Sequence, residues 1–438
     1  MSGMPLRLLV SLTALVLLLA GCSSGSDIRS ITILHLNDLH ARLLPDERGR
    51  GGFAHVASAV AQEKKNSPGA LLLHGGDFVQ GSPVSSLFRG MPVIEIANHM
   101  GFDVHTLGNH EFDYGWQRTR EFVAAGEFAT VSANVLNEAG ELLTPEPYVI
   151  REINGVKVGV IGMVTERLAD LTRAELRGPW HAAPVVETVR RYAQELEPQV
   201  DLIVMLAHCF NDEDDRVLAE VPEVGLVVGG HNHGGHGDIK EVDGRLGVKV
   251  RAWGRELGRL DLKYDRLAKK TVGYDWRAIP VNATSYPADP EVEKLVAHWE
   301  GQVSELVDVP IGRADRTLGK RDLQPMIEQV MREAVGADLA HMNAGGIRAA
   351  LPQGELLKRH VWNVLPFGNL LAYGRLRGSE LPRELRSQPG IEPNREYVVA
   401  TNDFTAEKWA EGGILLAERA GLVRDAMIAW IERAQRLP

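Results

Sequence analysis

His105-Thr106-Leu107-Gly108-Asn109-His110-Glu111-Phe112-Asp113-Tyr114-Gly115 opens within a short strand-like run, residues 104–107. An asparagine, a histidine and two acids crowd a segment flanked by glycines. Such a segment adds little to a hydrophobic core. It is well suited to holding a metal ion and a protonatable imidazole at one point, provided other parts of the chain supply partners.

The flanking sequence has a repeating rhythm. Residues 30–36 (SITILHL) read as a buried strand and end at Asn37-Asp38-Leu39-His40. Residues 70–73 read as a second strand and end at His74-Gly75-Gly76-Asp77. Residues 130–133 and 156–161 are further apolar strands. Residues 202–207 (LIVMLA) end at His208, and residues 226–228 end at Gly229-Gly230-His231-Asn232-His233. Helical spacing over 53–65, 93–100 and 185–197 separates these runs. Near-continuous apolar strands alternating with helices predict an α/β sandwich whose sheets are buried on both faces. Polar residues fall just past the strand C-termini, where open α/β sheets place ligands.

From 248 to 277 the pattern changes to alternating strands (VKVRAW, GRLDLKYD, TVGYDWRAI), and Pro287-Ala288-Asp289-Pro290 marks a break. An amphipathic stretch over 291–307 predicts a joining helix. A second α/β region follows, with a terminal helix expected over 414–435. The resulting division is a catalytic domain at 30–285, a linker helix at 286–307 and a C-terminal domain at 308–438.

The chain has 438 residues, 44% hydrophobic and 24% charged, with a net charge of −10. Without a long basic run, a nucleic acid polymer is not an expected partner, and no protein partner is inferable. Arg7 followed by an apolar stretch over 8–20 reads as an export signal within residues 1–22. Its ending, Leu19-Ala20-Gly21-Cys22, resembles a bacterial lipoprotein box. That resemblance implies lipid on Cys22, a tether over 23–29 and a membrane-anchored protein of the cell envelope. In a host with two membranes it implies the outer one, facing the periplasm. With Cys22 lipidated, Cys209 is the remaining cysteine, so no intrachain disulfide is expected.

The strand ends collect Asp38, His40, Asp77, Asn109, His110, His208, His231 and His233. Imidazole, carboxylate and amide oxygen suit Zn²⁺ or Mn²⁺. These residues suffice for two divalent cations and one spare histidine. Two cations about 3.5–4 Å apart polarise a phosphoryl oxygen and acidify a bound water.

Taken in order, Asp38-Leu39-His40, Gly76-Asp77, Gly108-Asn109-His110-Glu111, His208 and Gly230-His231-Asn232-His233 resemble the calcineurin-like metallophosphoesterase superfamily. Asn37 to His40, Gly108 to Asp113 and Asn343-Ala344-Gly345-Gly346-Ile347-Arg348 resemble its 5′-nucleotidase branch, which includes UDP-sugar hydrolases and 2′,3′-cyclic-nucleotide phosphodiesterases. The resemblance implies a four-layer α/β/β/α sandwich and a smaller C-terminal α/β substrate-binding domain. It implies one metal on Asp38, His40, Asp77 and His233, where the family often has Gln or Asn in place of His233. A second metal would sit on Asp77, Asn109, His208 and His231. His110 would be the catalytic imidazole, oriented by Asp113, with Glu111 supporting the loop.

For the substrate, the resemblance implies that Phe367 and Phe404 sandwich a nucleotide base while Asn343, Arg348 and Arg316 bind the rest. Two departures stand out. Arg321-Asp322-Leu323 replaces the family's usual Leu-Gly-Asn-Leu, and the Gly-Gly-Asp after the second aromatic is Gly412-Gly413-Ile414. The implied function is hydrolysis of nucleotides to nucleoside and phosphate. The alternatives are a thiosulfohydrolase-like hydrolase of the same branch and a non-catalytic nucleotide- or metal-binding surface lipoprotein.

Overall fold

The computed structural model describes residues 26–438. The export signal, Cys22 and the first tether residues lie outside the described residues. Two six-stranded sheets build the N-terminal domain. In the first, Ile28–Leu36, Leu71–His74, Val104–Thr106 and Ala129–Val131 run parallel, and Glu256–Asp265 and Lys270–Pro280 extend it antiparallel. In the second, Arg245–Val248, Leu226–Val228, Leu202–His208 and Val156–Val164 run parallel between the antiparallel edges Lys240–Val242 and Tyr148–Ile153.

Alternation along each strand makes the layers. Ile31, Ile33, Leu71, Leu73 and Val104 pack against Val158, Val160, Val204 and Leu206, so the two sheets meet face to face. The intervening Leu34, Leu36 and Leu72 pack outward under the helix Phe53–Asn66. On the far side, Ile161, Ile203 and Met205 pack under the helix Val185–Leu196. Both faces of each sheet are therefore apolar, which is why the strands read as unbroken hydrophobic runs. The fold is the four-layer α/β/β/α sandwich.

Several boundaries differ from the sequence reading. The first strand begins at Ile28 rather than 30, because Ile28 and Arg29 pair with Asp265 and Tyr264. VKVRAW is a strand only up to Val248. Beyond it, Lys249 buries its ammonium against Asp214 at 3.0 Å, and Trp253 adopts a left-handed backbone with φ of 68°. The helix Pro290–Val307 is capped by Asp289, whose side chain accepts from the amides of Glu291 and Val292, with Pro290 in the first turn. Val292, Val296, Val303 and Val307 join the cluster under Phe53–Asn66, so this helix is packed onto the N-terminal domain along its length.

The C-terminal domain has a three-stranded sheet of Gly354–Leu357, Pro310–Ala314 and Arg436–Leu437. A four-stranded sheet of Leu339–Ala340, Glu396–Asn402, Leu370–Arg377 and Glu418–Leu422 completes it. The helices Lys320–Val335 and Val423–Ala434 contribute Leu323, Ile327, Met427 and Ile431 to its core. The terminal helix starts later than expected because Glu418–Leu422 pairs as a strand along Leu370–Arg377.

Lys249 and Asp214 lie directly beneath Gly229, at the turn that carries His231. Burial pushes the Asp214 carboxyl up to about 6, and the Lys249 ammonium opposes the rise. Removing one partner leaves an uncompensated buried charge. Asp214→Ala is expected to cost about 3–5 kcal/mol of folding stability, measured from urea unfolding midpoints. A loss below roughly 1 kcal/mol would show that water reaches the pair.

Candidate metal and phosphate site

Three of the motif loops reach the site through a backbone conformation that side-chain-bearing residues rarely adopt. Asp38, His40, Asp77 and His231 have φ of 51°, 48°, 61° and 68°. Left-handed residues of this kind cost on the order of 1–3 kcal/mol each and persist only where neighbours hold them. Here the Asp38 amide donates to Gly76 O at 3.0 Å, the His40 amide donates to Asp77 O at 3.0 Å, and the Trp253 amide donates to Asp38 O at 2.8 Å.

Glu111 ties the loops together. Its buried carboxylate accepts from the amides of Asp77 (3.0 Å), Phe78 (2.8 Å) and Gly108 (2.6 Å). Burial and the charge of Asp77 push this carboxyl up to about 7, and the backbone donors pull the other way. Gly108 is required at its position, since a Cβ there would stand 2.2 Å from Asp77 Oδ1.

The donor atoms of these residues lie close together. His40 Nε2 lies 2.9 Å from His233 Nε2, and Asp38 Oδ1 lies 3.4 Å from His233 Nε2. Asp77 Oδ2 stands 3.7 Å from His40 Nε2 and 3.1 Å from His208 Nε2. Asn109 Oδ1 and His231 Nδ1 are each 3.2 Å from His208 Nε2. His208 Nδ1 lies 2.8 Å from Gly75 O, an acceptor that places the proton on that nitrogen and leaves Nε2 free to ligate.

The electrostatics fit divalent cations. Asp38 and Asp77 are fully buried, and Asp38 Oδ1 has no hydrogen-bond partner. Burial disfavours charge on His208, yet Asp77 and Asp38 outweigh it and hold its pKa up to about 9. The carboxylates thus draw positive charge to this point. Burial holds His40 well below 6.5 and His231 down to about 3, the neutral form that ligates metal. The donors are carboxylate, amide and imidazole, a set suited to Zn²⁺ or Mn²⁺.

His110 stands beside this cluster. Its Nδ1 is 2.7 Å from Asp113 Oδ2, and its backbone amide donates to Asp77 Oδ1 at 2.9 Å. Burial lowers its pKa, but Asp113 and Asp77 prevail and raise it above the ordinary histidine value. It also lies close enough to His40 and Asp77 to share a cation with them.

Arg348 arrives from the C-terminal domain and places Nη2 3.0 Å from His40 Nε2. A cleft of about 690 Å³ runs from Asn109, His110, Asp113 and His231 to Asn343, Arg348, Phe367 and Phe404. The Phe367 ring stacks near His110 with centroids 5.6 Å apart. Asn343 Oδ1 accepts from Asn402 Nδ2 at 2.7 Å. Arg316 is not in the cleft. Its guanidinium is more than half exposed and bonds Asp322 at 2.7 Å. Arg173, which motif reading did not single out, lines the cleft and pairs with Asp403 at 3.2 Å and Glu407 at 3.0 Å across the domains. No local pattern marks its place in the cleft, because its partners across the domains lie more than 200 residues away in sequence.

Residues 31–235 match the family of calcineurin-like phosphoesterases, and residues 301–390 match the 5′-nucleotidase C-terminal domain. The chain thus carries a calcineurin-like phosphoesterase domain followed by a 5′-nucleotidase C-terminal domain, the two-domain form of metal-dependent phosphoric ester hydrolases. It is 28% identical over 420 residues to Endonuclease YhcR of Bacillus subtilis, covering 86% of this chain and 34% of that protein. It therefore spans about a third of that relative's length. It is 26% identical over 494 residues to a 5′-nucleotidase of Vibrio cholerae, covering 97% of this chain and 87% of that one. The crystal structure of a 5′-nucleotidase precursor from Thermus thermophilus shares the fold, with a TM-score of 0.84, 23% identity, and coverage of 94% and 97%.

If Glu111 braces the loops, Glu111→Ala strands three amide donors. It is expected to cost roughly 3 kcal/mol or more of stability, since each buried unpaired donor costs about 1–3 kcal/mol. It should also weaken metal retention at least tenfold, as loss of such supports does elsewhere. Wild-type metal affinity in a well-folded variant would exclude the bracing role.

Proposed function

We propose that the protein is a two-metal 5′-nucleotidase, exported and lipid-anchored through Cys22, that hydrolyses nucleotides to nucleoside and phosphate. The observation that carries this reading is the shared cleft. It brings His110 and the metal-ligand loops together with Arg348, Phe367 and Phe404 from the other domain.

Asp38, His40, Asp77 and His233 would hold one cation, and Asp77, Asn109, His208 and His231 the other, with Zn²⁺, Mn²⁺ or a similar ion suiting the donors. Such cations supply Lewis-acid polarisation of the phosphoryl group and activation of water. The chain's own residues do the rest. Arg348 reaches the phosphoryl oxygens with a fixed positive charge. Asp113 holds a proton on His110 Nδ1 and favours the imidazolium, so Nε2–H donates to a phosphoryl oxygen or the leaving 5′-oxygen. Phe367 and Phe404 offer faces for a base, and stacking of this kind tolerates any base. The 5′-nucleotidase of Vibrio cholerae supports this substrate class. The signal-like N-terminus supports export, with the outer membrane facing the periplasm as the destination in a two-membrane host.

Phosphate release from AMP tests the chemistry. Chelator should abolish it, and His110→Ala should lower kcat by roughly 10²–10⁴-fold; full activity in that variant would remove His110 from the mechanism. A second comparison isolates the base site. Phe404→Ala should raise KM for AMP roughly tenfold, within the range of one stacked base, and leave ribose 5-phosphate unaffected. An equal rise for both compounds would mean that Phe404 shapes the fold rather than stacks.

A further inference from the structure

Arg173 lines the cleft, yet its guanidinium is committed elsewhere. Nε donates to Glu407 Oε1 at 3.0 Å, Nη1 lies 3.2 Å from Asp403 Oδ2, and Nη2 lies 2.6 Å from Glu175 Oε1. One cation answers three carboxylates, and each of its nitrogens already faces one. Burial disfavours its charge, but Asp403 and Glu407 outweigh that and raise its pKa. A guanidinium so placed has little left to offer a substrate phosphate.

Its two partners across the domains flank Phe404. Asp403 and Glu407 stand one turn apart on the helix Asp403–Glu411, whose second residue is Phe404. Like charges at this spacing repel, and Arg173 lies against both. The Asp403 side chain is 2% exposed, and apart from Arg173 its Oδ2 has no polar partner among the described residues. Its Oδ1 accepts from the Phe404 amide at 3.0 Å. Without Arg173, a buried carboxylate next to Phe404 would be left uncompensated, which favours displacement of the helix end. Ala406 and Trp409 hold the helix to its own domain, whereas Phe404 is only partly buried.

On its other side Arg173 is fixed to the loop that carries His110. It lies between the short helices Leu168–Leu171 and Ala174–Arg177. The buried Thr172 hydroxyl donates to Leu168 O at 2.7 Å. Leu168 packs in one apolar cluster with Leu107 and Phe112, which stand before and after His110. Lys408 repeats the tie by donating to Ala169 O at 2.7 Å. A continuous set of contacts therefore runs from the His110 loop to Phe404.

We propose that Arg173 is a positioning residue, which acts through Asp403 and Glu407 to hold the Phe404 ring at a fixed distance from His110. A base stacked on that ring and a phosphorus beside His110 then have to belong to one substrate of matching length. This role rests on the nucleotidase reading for the base on Phe404. It makes an arginine of the N-terminal domain a determinant of selectivity for phosphate esters that carry a base over those that do not.

AMP and ribose 5-phosphate share a sugar phosphate and differ in the base, so together they separate this role from a general structural one. Arg173→Gln should raise KM for AMP about tenfold, the scale of one stacked base. Its kcat for AMP, and both constants for ribose 5-phosphate, should stay within about twofold. Arg173→Gln combined with Phe404→Ala should be no worse than Phe404→Ala alone, since the arginine acts through that ring. Amide hydrogen exchange over 403–411 in the full chain should be about tenfold faster in Arg173→Gln and unchanged over 105–115. Additive losses in the double variant, an equal decline for ribose 5-phosphate, an unchanged KM for AMP where Phe404→Ala raises it, or unaltered exchange over 403–411 overturns the role. If Phe404→Ala leaves AMP kinetics as in the wild type, the base site of the nucleotidase reading fails instead, and hydrogen exchange still decides whether Arg173 holds the helix.

Discussion

Asp38 and Asp77 are two fully buried carboxylates at the ends of neighbouring strands, and the rest of the site is arranged around their charge. Burying an anion is unfavourable unless a cation or several donors meet it. Here the neighbours are imidazoles and an amide, which can ligate a metal but carry little charge of their own. Burial keeps His40 and His231 neutral, and the positive charge that the carboxylates attract falls on His208. The pocket is therefore built for charge brought in from outside. The left-handed backbone at Asp38, His40, Asp77 and His231 is a consequence of the same demand, since donors from separate loops must aim at one point. Glu111 makes that geometry tolerable by binding amides on two of the loops at once.

The second domain completes the site. Arg348 crosses to His40, and Arg173 crosses in the other direction to Asp403 and Glu407. Lys408 adds a bond to the carbonyl of Ala169 at 2.7 Å. These contacts are polar and partly exposed, whereas the Pro290–Val307 helix is attached to the N-terminal domain by buried valines. This helix is thus fixed to the first domain by apolar burial. The cleft itself is spanned by contacts that water can replace.

Much of this was legible from residue order. The parallel strands announce themselves as apolar runs because both their faces are buried, and polar donor residues gather at their C-terminal ends because the loops there open to one edge of both sheets. Asp38, His40, Asp77, Asn109, His208, His231 and His233 could be singled out since each stands within a few residues of such a run. The misreadings have equally specific causes. VKVRAW alternates like a strand, but Lys249 is pulled inward by Asp214, a partner from another element. Arg316 looked like a substrate arginine by its place in the chain, yet Asp322, six residues further on, claims it at the surface.

Residue order alone specifies the layers, the loops that carry the candidate donors and the chemical character of those donors, all of which follow from local patterns of apolar and polar residues. Packing decides how those donors pair, that Glu111 spans three amides and that Arg173 bridges the domains. These are relations between residues far apart in the chain, set by how the layers and domains meet. The stretch from His105 to Gly115 specifies a histidine, an acid and an amide within a few residues. The fold places Asp77 against that histidine and Phe367 beside it.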